Sequence, residues 1–154
     1  NQDVATLLNT EQFMKNLNDK IKFIANNGGR DQIAIERGTL TFSSGKIQLG
    51  LETQGSIYTI GTIPLTSSDC TSTQGVWGQD GSEILCVVSE QIRNNYRTTY
   101  ELSYRELTSQ IKNYKISLEG SDATGGKDNI IAIENVGSKE EGNLIKTVIS
   151  IRIL

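Results

Sequence analysis

The residues able to do covalent or metal chemistry are few in this chain. It contains no histidine, and its only cysteines are Cys70 and Cys86. Serine–histidine and cysteine–histidine nucleophile pairs are therefore excluded, and so are histidine-ligated zinc, iron and copper sites. Nothing in the sequence marks a chemistry based on Ser–Lys pairs, paired carboxylates or an N-terminal amine. We therefore expect no enzyme activity, no catalytic residue, no metal and no cofactor.

The two cysteines bracket a polar segment, residues 71–82, which is typical of a loop that closes on a strand. A Cys70–Cys86 disulfide would stabilise the fold by about 3 kcal/mol in the chain-entropy model and would indicate an oxidising compartment. The alternative is a pair of unrelated thiols, because Cys86 lies in an apolar run that suits a core. We predict the disulfide, because a free thiol at Cys70 would have no packing role in a polar loop.

Trp77, the only tryptophan, lies in the same polar segment. An exposed tryptophan on a covalently tied loop is a candidate contact for a ligand or partner. The alternative is that the indole folds back as a lid on the core. Tyr96, Tyr100, Tyr104 and Tyr114 could form an aromatic strip for sugar stacking, but the spacing of Tyr100 and Tyr104 favours one half-buried strand face.

The composition argues against nucleic acid, a membrane span and an EF-hand calcium site. The 15 Lys and Arg residues are scattered among 18 Asp and Glu residues, so the net charge is −3 and nucleic-acid binding is not expected. No apolar run approaches the roughly 18 residues that a membrane span needs. The acidic stretches at 80–83 and 122–128 match no EF-hand loop, which leaves only a loose Ca²⁺ site as an alternative.

Residues 1–27 have the apolar spacing of an amphipathic helix, and Gly28-Gly29 supplies a stop signal. The apolar stripe consists of Leu7, Met14, Leu17, Ile21 and Ile24. Its narrow spacing suits a helix–helix seam, whereas Phe13 and Phe23 lie off the seam and suggest that the helix also covers a sheet. We expect residues 13–24 to pack on a sheet and the preceding residues to pack between subunits.

From residue 28 the period of the apolar residues changes to two, so residues 28–154 are predicted to form a β-rich globular domain. The first three of about nine short strands should form an antiparallel meander. Glu90–Arg97 suggests a turn or a short helix, and Val148 suggests a bulge or a change of exposed face in the strand Asn143–Leu154. One helix followed only by strands predicts an α+β chain that is mainly β, arranged as an antiparallel β-sandwich or a curved sheet.

Two features resemble the extracellular part of type IV pilin-like proteins, particularly the archaeal kind. One is the amphipathic helix that leads into a β-only domain rich in Ser, Thr, Asn and Gly. The other is Ile131–Ser138 followed by Gly142–Ile145, which resembles the I-x-I-x-N-x-G pattern of immunoglobulin-like modules in archaeal surface proteins. In those modules Asn-x-Gly turns the chain between neighbouring strands, which implies a turn at Asn135–Gly137.

The resemblance implies a structural protein of the cell surface: a subunit or minor component of an extracellular filament. The family's continuous apolar helix and basic leader are not among these residues, so the resemblance implies that they were removed or lie upstream of Asn1. A membrane would then be contacted only through that segment, and the N-terminal helix would mediate self-association with other filament subunits. The alternative function is a secreted or membrane-anchored β-sandwich adhesin that binds a glycan or protein ligand through Trp77.

Overall fold

The computed structural model describes residues 2–66 and 69–154. Asn1, at the start of the predicted helix, and residues 67 and 68, in the predicted loop, lie outside the described residues. The described residues contain one helix, α1 (Gln2–Asn27), followed by twelve strands in two mostly antiparallel sheets. The prediction of one N-terminal helix before a mainly β region is confirmed, whereas the strand number of about nine is too low.

The strands, in chain order, are β1 (Arg30–Ala34), β2 (Thr39–Ser43), β3 (Lys46–Thr53), β4 (Gly61–Pro64), β5 (Gln74–Val76), β6 (Glu83–Ile92), β7 (Asn95–Tyr104), β8 (Glu106–Thr108), β9 (Asn113–Glu119), β10 (Ala123–Thr124), β11 (Ile130–Glu141) and β12 (Leu144–Ile153). Sheet A has the spatial order β1-β11-β12-β9-β8-β5, and sheet B has the order β10-β2-β3-β7-β6-β4. In sheet A, β12 pairs with β9 and β5 pairs with β8 in parallel, and all other pairs in both sheets are antiparallel. The three strands missing from the prediction are β5, β8 and β10, each of two or three residues.

The alternation of apolar and polar residues explains why β3, a central strand of sheet B, has one buried face. In β3 the side chains of Ile47, Leu49 and Leu51 are buried, while the intervening residues are exposed or half-buried. Successive side chains of a strand point to opposite faces, so this alternation puts one face in the core and the other near solvent.

One hydrophobic core contains residues from the helix and from both sheets. Sheet B contributes Leu85 and Leu102, sheet A contributes Ile133 and Ile149, and the helix contributes its whole apolar stripe. The helix is also hydrogen-bonded to both sheets, because Tyr100 of β7 donates to the Leu7 carbonyl and Asn135 of β11 donates to the Ile24 carbonyl. The predicted segments 1–27 and 28–154 therefore share a single core.

The helix ends where the sequence predicted. The amide of Gly28 donates to the Ile24 carbonyl at 2.8 Å, and Gly28 has a φ of +81°. That left-handed conformation suits glycine because it has no Cβ, and it closes the last helical turn. The chain then enters β1.

The predicted meander of the first three strands is wrong. β2 and β3 form the expected hairpin, but β1 pairs with β11 in the other sheet. The period-two pattern is the same in both arrangements, because alternation specifies a strand and its buried face but not its neighbour. Only tertiary packing places β1 at the edge of sheet A.

The predicted turn at Asn135–Gly137 is also wrong. β11 continues through these residues to Glu141, and the register shifts between Asn135 and Gly137, so Val136 is an extra residue opposite β12. Gly137 has a φ of +109°, a value that L-residues rarely adopt and that glycine adopts easily. The bulge therefore lies in β11, across from Val148, whereas the sequence had suggested either a bulge or a change of exposed face in β12.

The segment Glu90–Arg97, predicted as a turn or a short helix, mostly extends two strands. β6 and β7 pair from Glu83↔Tyr104 to Ile92↔Asn95, and only Arg93 and Asn94 form the turn between them. The polar side chains of this region lie on the part of the hairpin that projects beyond the core, where both faces meet solvent. Because the residues of this segment are mostly polar, the sequence did not indicate that it contains the end of β6 and the start of β7.

Candidate functional site

The predicted Cys70–Cys86 disulfide is confirmed. The two Cα atoms lie 6.1 Å apart, and Cys86 is buried on β6. The bond ties the polar segment that carries Trp77 to a central part of sheet B. A disulfide is typical of proteins in oxidising compartments.

The backbone around Trp77 is held by several hydrogen bonds. The Trp77 amide donates to the Thr108 carbonyl at 2.9 Å, directly after the parallel pairing of β5 with β8. In the turn that follows, the amides of Gln79 and Asp80 donate to the Val76 carbonyl at 3.0 and 2.9 Å. The Asp80 carboxylate accepts from the Val76 amide at 2.6 Å and closes the same turn. The loop therefore presents its indole from an anchored backbone.

The Trp77 side chain is exposed, so the interpretation as a lid on the core is wrong. The indole has 55% of its surface exposed, and its ring stacks on Tyr114 of β9 with centroids 4.6 Å apart and an angle of 39° between the planes. Tyr114 is half-buried. One aromatic ring of the pair is thus supported by the sheet, and the other remains open to solvent.

The Trp77–Tyr114 pair forms one side of a cleft of about 440 Å³. Leu107 of β8 and Ile116 of β9 contribute its apolar floor. The opposite wall is the C-terminal part of α1, including Lys22, Ala25 and Asn26. We call this space the Trp77 cleft. Its volume lies in the range of small-molecule binding sites, roughly 300–1,000 Å³.

The Trp77 cleft is an unfilled continuation of the core. Leu118 of β9 is buried in the core, and Ile116 and Tyr114 share its face because side chains at positions i and i+2 point the same way. Burial falls along this face from Leu118 to the half-buried Ile116 and Tyr114. The core-facing side of sheet A therefore extends past the part that the rest of the core covers.

Lys22 and Asn26 are the polar residues of α1 that line the cleft, and Lys22 connects them to a polar network outside the lining. The Lys22 ammonium lies 3.2 Å from Oε1 of Glu83, and the same oxygen lies 3.5 Å from the amide nitrogen of Asn18. Asn18 also accepts a 2.7 Å hydrogen bond from the Tyr104 hydroxyl. Within the described residues, the Asn26 side chain is exposed and makes no hydrogen bond. These groups offer donors and acceptors next to the aromatic surface.

The tyrosines named with Trp77 in the sequence do not form a strip. Tyr100 and Tyr104 are buried on the core side of β7, as the half-buried-strand interpretation favoured, while Tyr114 lies in sheet A. Burial is the main cause that raises the pKa of Tyr104, and the nearby Glu83 and Asp19 carboxylates raise it further. Only Tyr114 contributes an aromatic ring to the site.

The predicted packing stripe of α1 lies entirely within the core of its own chain. Its members are each at most 5% exposed: Leu7, Met14, Leu17, Ile21 and Ile24. Leu7 was expected to pack between subunits, but its side chain is fully buried and its carbonyl accepts from Tyr100. Phe13 packs partly against the core, whereas Phe23 is 65% exposed and covers no sheet.

The sequence analysis did not identify Val4 and Leu8 as an exposed apolar surface of the helix, and it assigned Phe23 to a sheet-covering face. Val4, Leu8 and Phe23 are large hydrophobic residues with exposed side chains, at 37%, 52% and 65%. The signal was present in the sequence, because positions 4 and 8 lie one turn apart and off the buried stripe. The five stripe residues masked it because they form the stronger pattern.

Within the described residues, no helix is long and apolar enough to cross a membrane, and no group of three or more Cys, Asp or Glu side chains could hold a metal ion. Among known proteins, the sequence matches no family model, no curated protein and no solved structure. The helix, the disulfide and the Trp77 cleft are therefore the features of the molecule that bear on its function.

Proposed function

We propose that this chain is a pilin-like structural subunit, or a minor component, of an extracellular filament. The role is structural and not catalytic. The proposal combines the resemblance seen in the sequence with an architecture of one long N-terminal helix followed only by strands. We further propose that the two sheets form a β-sandwich and that the family is the archaeal one.

The observation that carries the proposal is the attachment of the helix to the β region along its length. In the first turn, the Asp3 carboxylate accepts from the amides of Gln54 and Gly55, each at 3.0 Å. One turn later the Leu7 carbonyl accepts from Tyr100, and at the last turn the Ile24 carbonyl accepts from Asn135. A helix held in this way can transmit force to the globular part as one rigid unit.

The outer side of the helix supplies the proposed contact with other subunits. Because the apolar stripe is buried internally, self-association must use the exposed residues Leu8 and Phe23 together with Val4. Leu8 and Phe23 are 15 positions apart, which is about 22 Å along the helix at 1.5 Å per residue. A neighbouring helix lying alongside would cover both ends of this surface.

The disulfide supports an extracellular location, since such bonds persist in oxidising environments. Anchoring before or during assembly would come from a segment upstream of Asn1. The partners in this proposal are other filament subunits, reached through the helix.

The direct test is to determine the coding sequence upstream of Asn1. About 20 uninterrupted apolar residues behind a short basic leader would support the proposal, because a helix of that length spans a membrane or packs in a filament core. A conventional cleaved signal peptide ending before Asn1 would contradict it.

A second test uses the full-length protein in its native cell, with Leu8→Asp compared with the matched variant Ile111→Asp. Ile111 is an exposed apolar residue away from the helix. We expect Leu8→Asp to reduce surface filaments, seen by electron microscopy, while Ile111→Asp leaves them. Equal filament numbers in both variants and in the wild type would contradict the proposed contact surface.

A second candidate function is a secreted or membrane-anchored adhesion module. The exposed indole of Trp77 beside a cleft favours it, because large exposed aromatic residues are enriched where proteins contact partners. The two proposed surfaces meet at the C-terminal part of the helix, because Phe23 of the filament contact is adjacent in sequence to Lys22 of the cleft lining.

A further inference from the structure

We propose that the Trp77 cleft binds a saccharide, with one sugar ring stacked on the exposed face of Trp77. The inference goes beyond the filament role and specifies the ligand class of the second candidate function, on which it rests. It depends on the shape, the anchoring and the chemistry of the cleft.

The aromatic pair supplies the stacking surface. Trp77 rests against Tyr114 at 4.6 Å, yet more than half of the indole remains exposed. Leaving a large apolar ring in water forgoes the stabilisation that its burial would bring. The C–H groups on the face of a sugar ring form an apolar surface that can cover an indole. Their slight positive charge also complements the negative face of the aromatic ring.

The cleft is preorganised for such a ligand. The Trp77 backbone is bonded to Thr108, the following turn is closed by Asp80, and the Cys70–Cys86 disulfide ties the segment to β6. A site built from anchored parts loses little conformational entropy when a ligand binds. This matters for a saccharide, because its hydroxyl groups must also give up bound water.

The polar wall selects a saccharide over an apolar side chain. Asn26 presents a carboxamide that makes no hydrogen bond to a described residue. Lys22 and Asp80, one cationic and one anionic, also line the cleft. Sugar hydroxyls both donate and accept, so they can satisfy an amide, an ammonium and a carboxylate in one site. A purely apolar partner would remove water from these groups without replacing its hydrogen bonds.

The first experiment titrates the wild-type chain with neutral hexose, N-acetylhexosamine and hexuronic acid oligosaccharides. Trp77 is the only tryptophan, so its fluorescence reports directly on the cleft. We expect at least one of these probes to shift the emission, with a dissociation constant below about 10 mM. Amide NMR spectra with the same probe should show shifts of the Trp77 indole N–H and the Asn26 carboxamide.

Variants then locate the binding by calorimetry or NMR. We expect Trp77→Ala to weaken binding about tenfold or more, because aromatic anchors dominate such interfaces. Asn26→Ala should weaken it about threefold to tenfold, the usual effect of losing one hydrogen bond. Ile60→Ala is the matched control, because Ile60 is similarly exposed, lies outside the cleft and should not change the affinity.

The inference would be overturned if no saccharide class bound with a dissociation constant below about 10 mM. Equal affinity of Trp77→Ala and the wild type would also overturn it. So would an emission shift that an apolar peptide produces but none of the sugars does. The titration needs neither assembly nor a segment upstream of Asn1. Failure of sugar binding and failure of the filament proposal are therefore separate outcomes.

Discussion

The molecule contains two aromatic pairs in contrasting surroundings. Tyr58 and Tyr100 meet edge to face, with centroids 6.0 Å apart, beside the N-terminal part of α1. Trp77 and Tyr114 stack at 4.6 Å beside its C-terminal part. The first pair includes a fully buried ring, whereas the second includes a ring with 55% of its surface in solvent.

The polar atoms of the buried pair are satisfied within the chain. The Tyr100 hydroxyl donates to the Leu7 carbonyl at 2.9 Å. The single hydroxyl proton of Tyr58 is shared between the Tyr100 hydroxyl at 2.9 Å and the Glu11 carboxylate at 2.8 Å. Burial raises the pKa of Tyr100 to about 12, although the hydrogen bond with Tyr58 opposes the shift. Burial is also the main cause that raises the pKa of Tyr58, followed by its hydrogen bonds to Tyr100 and Glu11.

The Tyr58–Tyr100 pair stabilises the fold, whereas the Trp77–Tyr114 pair leaves its indole accessible from solvent. Tyr100 joins the helix to sheet B and is surrounded by core residues, so its removal would leave a cavity and break the hydrogen bond from its hydroxyl to the Leu7 carbonyl. Trp77 is held by its backbone, and its ring touches one neighbour of the same kind. Similar residue types are thus buried and hydrogen-bonded at one end of the helix and exposed to solvent at the other.

The largest expected effect is on the buried pair. We expect Tyr100→Ala to lower the free energy of unfolding by about 3–5 kcal/mol, the range for deleting a buried aromatic ring. Tyr100→Phe keeps the ring but removes the hydroxyl, and should cost about 0.5–1.5 kcal/mol because the Leu7 carbonyl loses its side-chain donor while its helical hydrogen bond remains. Urea denaturation followed by circular dichroism measures both.

The matched control for this prediction is Trp77→Ala, which removes a ring of comparable size from the exposed pair. Its effect on stability should stay near 0.5 kcal/mol or below, typical of surface substitutions. A Trp77→Ala variant destabilised as much as Tyr100→Ala would refute the division into a stabilising and an exposed pair.

The disulfide provides a second test of the comparison, because it closes the segment that carries Trp77, the exposed member of the second pair. We expect the double variant Cys70→Ala/Cys86→Ala to lose about 2–4 kcal/mol in the free energy of unfolding. Hydrogen exchange in the folded double variant should rise at Trp77 and Gln79 more than at Leu7 and Tyr100. An equal rise at both places would show that the disulfide supports the whole fold evenly.

The smallest effect concerns pH. An unfolded tyrosine has a pKa near 10, whereas the folded pKa of Tyr100 is about 12. The folded state therefore holds this proton more tightly, so stability is fully present below about pH 10 and falls as the pH rises toward 12. Tyr100→Phe lacks the titrating group and should show a shallower fall in urea titrations across this range. Parallel pH profiles for the variant and the wild type would contradict the assignment.

Much of the local structure could be predicted because it depends on neighbouring residues. The stop at Gly28-Gly29 matches the observed end of α1, and the predicted strand Asn143–Leu154 contains β12 (Leu144–Ile153). The Cys70–Cys86 bond was also anticipated, because both cysteines lie close in sequence around one polar segment. Each of these features follows from the types and spacing of residues within a short stretch of sequence.

Features that depend on distant partners were missed or misassigned. The pattern of β1 does not reveal that it pairs with β11, about 100 positions away, and not with β2. The glycine of Asn135–Gly137 suits a turn and a bulge equally, because both use its left-handed conformation. Pairing across the sheet decided between them.

The sequence by itself determined the helix, its buried stripe, the alternation of the strands and the disulfide, since each follows from residue type and spacing along a few turns or one loop. Only the tertiary structure decided the exposure of Trp77, its contact with Tyr114 and the cleft between them. These depend on where sheet A extends past the rest of the core and on which ring of four nearby tyrosines faces the loop. No local pattern encodes such distances, because they result from how the helix and the two sheets pack together.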